Sequence, residues 1–211
     1  MKANPMKIGG AAIAVALVAT VGCGQFVRQG RSPSLITILA LEGASGARPA
    51  SFSGVLESDV VTVINRTVQG QQVPTATIFS DAGRVTMRLI LKDQGTPGIV
   101  AVPSIVNQIQ ITRYRVEFRR TDGRNTPGVD VPFPFESAVT FLVPGDGTVT
   151  AGFELVRHTA KEEAPLAALR IDDRILSTIA DVTFFGKDLA GNDVIVTGSI
   201  GILFGNFGDP T

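Results

Sequence analysis

Between residues 85 and 92 apolar and polar side chains alternate. Val85, Met87, Leu89 and Leu91 fall on one parity, Thr86, Arg88 and Lys92 on the other, with Ile90 the exception. Period two is the signature of a strand with one buried face. The pattern returns downstream in Val139, Phe141 and Val143, and again in Val149, Ala151, Phe153 and Leu155. It returns last in Val194, Val196, Ile200, Ile202 and Phe204. Residues 35–41 are a continuous run, apolar apart from Thr37, and predict a buried first strand. Residues 60–64, 76–79 and 178–185 predict further strands. The longest candidate is 109–119. Ile109 and Ile111 are apolar at odd positions, but Tyr114, Val116 and Phe118 at even ones. One face cannot change parity without an extra residue, so a β-bulge or sharp twist is expected near Thr112–Arg113.

The intervals read as turns. Residues 42–49, 65–74, 93–103 and 121–134 predict loops rich in Gly, Pro or polar residues, and 80–83 predicts a turn. Pro144-Gly145-Asp146-Gly147 predicts a hairpin turn, and 187–192 predicts another. Only 160–169 favours helix, and Pro165 keeps that helix short. Roughly seven to ten strands with turn signals about every 8–12 residues define an all-β chain, an antiparallel β-sandwich with at most one short helix near 160–169.

The first residues follow a different rule. Lys2 and Lys7 precede 14 uncharged, mostly aliphatic residues at 8–21. That run is shorter than the roughly 20 residues of a membrane-spanning helix and reads as a secretory signal peptide. It ends in Thr20-Val21-Gly22-Cys23-Gly24, and Cys23 is the only Cys among 211 residues. This segment resembles the lipobox of bacterial lipoproteins, in Val21, Gly22 and Cys23, with Thr20 where Leu or Val is usual. The resemblance implies cleavage before Cys23, lipid on its thiol and acylation of the new amino group. Gly24, standing where an Asp often retains such proteins at an inner membrane, implies an outer-membrane or cell-surface address. The expected organisation is a signal peptide at 1–22, a lipidated Cys and tether at 23–33, one sandwich domain at 34–207 and a tail at 208–211. Near the C-terminus, residues 182–194 (VTFFGKDLAGNDV) resemble the last hairpin of bacterial immunoglobulin-like and fibronectin-type-III-like domains. That resemblance implies an immunoglobulin-like sandwich and no particular activity.

Composition narrows the partners. Without residues 1–22 the chain keeps 189 residues, with 17 Lys and Arg against 19 Asp and Glu, a net charge of −2. Nucleic acid, which needs a basic excess, is therefore not an expected partner. With one Cys there is no internal disulfide, so an exported domain must rest on its hydrophobic core.

Candidate chemistry is sparse. His158 is the only His, which excludes a multi-histidine metal site. No Gly-x-Ser-x-Gly elbow accompanies it. Glu162, Glu163, Asp172 and Asp173 supply paired carboxylates of the kind used in glycoside hydrolysis, although adjacent acids commonly face water. Asp188, Asn192 and Asp193 offer oxygen ligands for Ca2+ within one turn, and turn geometry accounts for the same residues. Arg113 and Arg115 share a parity with Glu117 and Arg119 and form either a basic grip or a solvated face. Phe133 and Phe135, between prolines, form either a partner-binding spot or a cap on the core. No cofactor is expected. The leading expectation is a non-enzymatic envelope lipoprotein, held to the bilayer through acylated Cys23, whose domain binds another envelope protein. A carbohydrate-binding module is the alternative, disfavoured by zero Trp and one Tyr. A hydrolase built on His158 and nearby carboxylates is the third reading.

Overall fold

The computed structural model describes residues 30–208. The expected signal peptide, Cys23, most of the expected tether and most of the expected tail lie outside the described residues.

Two sheets pack face to face as a sandwich. The smaller holds β1 (Ser34–Ala44), β5 (Asp81–Leu91) and β10 (Val149–Val156), in the order β1-β5-β10. The larger holds β2 (Val55–Asp59), β8 (Ile109–Arg119), β9 (Phe135–Val143), β11 (Leu176–Asp188) and β12 (Asp193–Gly205), in the order β2-β12-β11-β8-β9. The alternating residues do what period two demands. Val85, Met87 and Leu89 of β5 face Ile109, Ile111, Val116, Val182, Phe184, Ile200 and Ile202 across one continuous core. Its centre is aromatic. The Tyr114 ring lies 5.1 Å from Phe153 and 6.1 Å from Phe184, and Phe153 meets Phe184 edge-on at 5.3 Å. Such edge contacts suit the ring quadrupoles. The Tyr114 hydroxyl donates to the carbonyl of Glu154 at 2.9 Å and accepts from its N–H at 3.2 Å, which ties β8 to β10 across the sandwich.

The expected bulge is present at the expected residue. Pairing with β11 passes from Arg113↔Phe185 directly to Ile111↔Gly186, so Thr112 has no opposite number. The register with β9 breaks at the same place. The extra residue turns Tyr114, Val116 and Phe118 onto the same core as Ile109 and Ile111.

Several local expectations are corrected. β1 is half-buried rather than buried, because it is an edge strand with one face in water, and Leu35 and Leu39 are exposed. It also runs into the loop expected at 42–49. Residues 65–74 are not a loop. They form most of a separate hairpin of β3 (Thr62–Val68) and β4 (Gln71–Thr77), turned by Gln69 and Gly70, both at positive φ. Polar side chains hid it, because its stability comes from backbone pairing rather than from a buried face. Residues 80–83 are not a turn either. They begin β5, and Gly83 is needed opposite Phe153, whose ring lies over it and leaves no room for a Cβ. The 144–147 turn joins strands of different sheets and is therefore no hairpin. The loop at 93–103 contains a minimal hairpin of β6 (Gly95–Thr96) and β7 (Ile99–Val100). β2 was not expected, and it pairs parallel with β12, the one departure from the antiparallel rule among these sheets. The helical piece is split into α1 (His158–Glu162) and a 3-10 helix, Leu166–Ile171, with Pro165 between them.

Strand directions give the sandwich two different ends. Ser34 pairs with Leu91 and Asp188 with Ile109, so the chain entry, 92–108, 144–148 and 189–192 share one end. Ala44 pairs with Ala82 and Leu176 with Phe204, so 45–54, 120–134, 157–175 and 206–208 share the opposite, far end.

Candidate functional site

The far end is built on a buried ion pair. Lys161 of α1 and Asp81 of β5 meet at 2.7 Å with both side chains fully buried. The ammonium also donates to the Asp59 carbonyl at 2.8 Å. The carboxylate accepts from the Gly46 N–H at 2.9 Å and the Ser58 hydroxyl at 2.5 Å. Burial pushes the Asp81 carboxyl up, against the opposing pull of Lys161, Ser58 and Gly46. Charges so deep persist only when paired and hydrogen-bonded. The pair pins α1 onto the start of β5 and the end of β2, and through Gly46 it also holds the 45–54 loop of the far-end cap. Nothing in the sequence marked it. Asp81 read as a turn residue, and Lys161 fell in the piece expected to be helical with no role assigned.

The cap carries the exposed features. Ile171 is 95% exposed, and Ile175, Val129 and Phe133 (54%) are also open to solvent. A cleft of about 520 Å3 lies among Arg120, Arg124, Val129, Leu169, Arg174 and Ile175. Its cations have fixed counter-charges. Asp122 bridges Arg120 and Arg124, and Asp172 holds Arg174 at 2.6 Å. These guanidiniums hold the Asp122 carboxyl far below the usual carboxylate range, Arg120 first. The backbone N–H of Arg174, followed by its side chain, lowers Asp172. A second cleft, about 440 Å3, opens between Arg48, Phe52, Glu57 and Phe207. The surface thus combines apolar area with paired, oriented charge and has little net field.

The sequence candidates separate. Phe133 is exposed, whereas Phe135 turns inward. Phe135 sits 6.2 Å from Tyr114 beneath the guanidinium of Arg157 at 4.0 Å. Arg113 and Arg115 lie away from the cap, on the outer face of the larger sheet. Arg113 stacks on Phe185 at 3.7 Å and pairs with Glu136 at 2.8 Å, while Arg115 pairs with Glu117 at 2.6 Å. Arg119 pairs with Asp181 at 2.6 Å. Each of these arginines has its own carboxylate, so the strip is a solvated face with no cationic field. Tyr114, at 2% exposure, is a core residue and shares no flat surface with Phe133.

His158 is exposed at the start of α1. Its Nδ1 lies 3.5 Å from the Ser80 hydroxyl, which itself donates to Glu154 at 2.7 Å. A nucleophilic triad needs the imidazole between hydroxyl and carboxylate, and here the hydroxyl goes to the carboxylate directly. Glu162, Glu163 and Asp173 point into solvent, Asp172 is bound to Arg174, and none of the four lines the 520 Å3 cleft. Asp188 is buried and its oxygens are taken. It accepts from the N–H groups of Ala190 and Asn192 and from the Asn192 side chain. Desolvation opposes its ionisation, but Asn192, Ser32 and Ala190 outweigh it and hold the carboxyl below its usual value. Asp193 pairs with Lys187 at 2.8 Å. These residues form a closed turn. Among the described residues no group of three or more His, Cys, Asp or Glu is placed to hold a metal, and no helix is long and apolar enough to cross a membrane.

No family profile, curated protein or solved structure matches the chain.

Proposed function

We propose that this protein is an exported, non-enzymatic lipoprotein, held at the outer membrane or cell surface by lipid on Cys23, whose sandwich presents its far end to another envelope protein. The anchor half rests on residues 1–24 and their likeness to a lipobox. The observation that carries the binding half is the segregation of the two ends. The chain enters at Gly30 on one end, and the rigid cap with Ile171, Ile175, Phe133 and the arginine-lined cleft stands at the other. Exposed aliphatic and aromatic side chains beside oriented guanidiniums are the usual ingredients of a protein interface.

The test has two arms. Processing should be blocked by globomycin, and mass spectrometry of the mature terminus should show an acylated Cys23. A pull-down from the native envelope should recover a protein partner that is lost with Ile171→Asp. An unmodified thiol sinks the anchor, and recovery of glycans without protein sinks the binding half.

A further inference from the structure

The entry end has an apolar tip of its own. Between Asp93 and Arg113 the chain carries no charged residue. Within that stretch Ile99 (75% exposed), Val100, Val102 (81%), Ile105 and Val106 all stand in solvent, and Leu189 of the neighbouring turn is exposed beside them. This is not loose chain. β6 pairs with β7, the Ala101 N–H donates to Gln94 at 3.1 Å, and the Asn107 side chain accepts from the Ser104 N–H at 2.7 Å. The Leu189 N–H donates to Gln108 at 3.1 Å. The backbone is thus largely satisfied internally while its aliphatic side chains point outward, as a contact with lipid requires.

Position says what covers this tip. Lys92, which opens the segment, donates from its backbone to Pro33 at 2.9 Å and from its ammonium to Gly30 at 3.2 Å. The apolar tip and the point where the chain enters are therefore side by side. Six residues lie between Cys23 and Gly30, and the seven steps that join them, at about 3.3–3.6 Å each, reach at most roughly 25 Å. An acylated Cys23 therefore keeps this end, and not the far end, against the bilayer.

We propose that the 94–106 loop, with Leu189, is a second membrane contact: its aliphatic side chains enter the headgroup–acyl boundary of the bilayer that holds Cys23. The inference rests on the anchor reading above. Arg31 and Lys92 are balanced at this end by Asp93 and Asp146. The contact is therefore apolar and insensitive to salt, unlike a polybasic one. It fixes the sandwich upright on the surface, which a single point of attachment does not.

The test uses the full lipidated protein in vesicles. Acylation consumes the Cys23 thiol, so Ile99→Cys provides the single reactive thiol for an environment-sensitive fluorophore. Ile171→Cys at the far end is the control. Lipids brominated high on the acyl chain should quench the residue-99 probe at least about twofold more than the residue-171 probe, in low and high salt alike. Adding Val102→Asp should abolish the difference. The mass of the terminus is read on the same sample. Acylated Cys23 with equal quenching at both sites overturns the loop contact and leaves the anchor standing. An unacylated Cys23 removes the anchor and would itself take the probe, so the comparison is then read in a Cys23→Ser background, where stronger quenching at residue 99 upholds the loop and equal quenching or none overturns both. A blue-shifted residue-99 probe that brominated lipid does not quench means burial between protein copies and also overturns the proposal.

Discussion

Replacing Lys161 by Met removes the charge from the far-end cap and keeps most of the side-chain volume. Asp81 then keeps Gly46 and Ser58 but loses its only cation, and the Asp59 carbonyl loses a donor. Breaking a buried pair from one side costs about 3–5 kcal/mol, because the remaining charge stays desolvated. That is a large share of a domain stability of roughly 5–15 kcal/mol. Lys161→Met combined with Asp81→Leu removes both charges. It leaves the Ser58 hydroxyl and Gly46 N–H without an acceptor and the Asp59 carbonyl without the Lys161 donor, so it should recover to within about 1–3 kcal/mol of the parent. Urea unfolding of the parent, Lys161→Met, Asp81→Leu and the double variant at one m-value measures the cycle. The pH dependence gives a second readout. Burial already raises the Asp81 carboxyl above its unfolded value, and without Lys161 it rises further. A raised folded pKa contributes stability that is present below the unfolded value and lost as pH rises through the folded one. The Lys161→Met deficit should therefore shrink on acidification from neutral pH, by up to about 1.4 kcal/mol per pH unit. A cost below about 1 kcal/mol at neutral pH would refute the claim that this pair is a desolvated ionic lock, as would a deficit that grows on acidification.

Two further outcomes are expected. Gly83→Ala drives a Cβ into the Phe153 ring and should cost about 1–3 kcal/mol in chemical denaturation, as overpacking does. A parent-like midpoint would show that Phe153 moves freely. Deleting Thr112 removes the extra residue and leaves Ile109, Ile111, Tyr114, Val116 and Phe118 in one unbroken alternation on the core face. Circular dichroism should therefore keep a cooperative β transition, and its loss would mean that the bulge does more than set the parity of the strand.

What could be read from the chain followed the burial of one face. β5, β8, β11 and β12 alternate because half their residues lie in the core, and even the bulge at Thr112 left a parity change to find. The β3–β4 arm left none, since neither of its faces is part of the buried core and its Thr and Gln residues read as loop. β2 escaped because its five residues contain two apolar side chains, and its place is set by a parallel partner nearly 150 residues away. The cap was illegible for a related reason. Lys161 and Asp81 are 80 residues apart, and no local pattern announces that two charges will be buried against each other. Phe133 is exposed in the loop before β9, and Phe135, its first residue, is half-buried against the core.

The orientation of β1 has a mechanical consequence. It leaves the entry end at Ser34 and runs to Ala44 with its ladder to β5 lying along the whole length. A pull between an anchored terminus and a partner on the cap would act along that strand, at right angles to its hydrogen bonds. The bonds of the ladder would then carry the load together, in shear. Peeling would break them one at a time. A domain strung between a membrane and a moving neighbour would thus meet tension along its strongest direction.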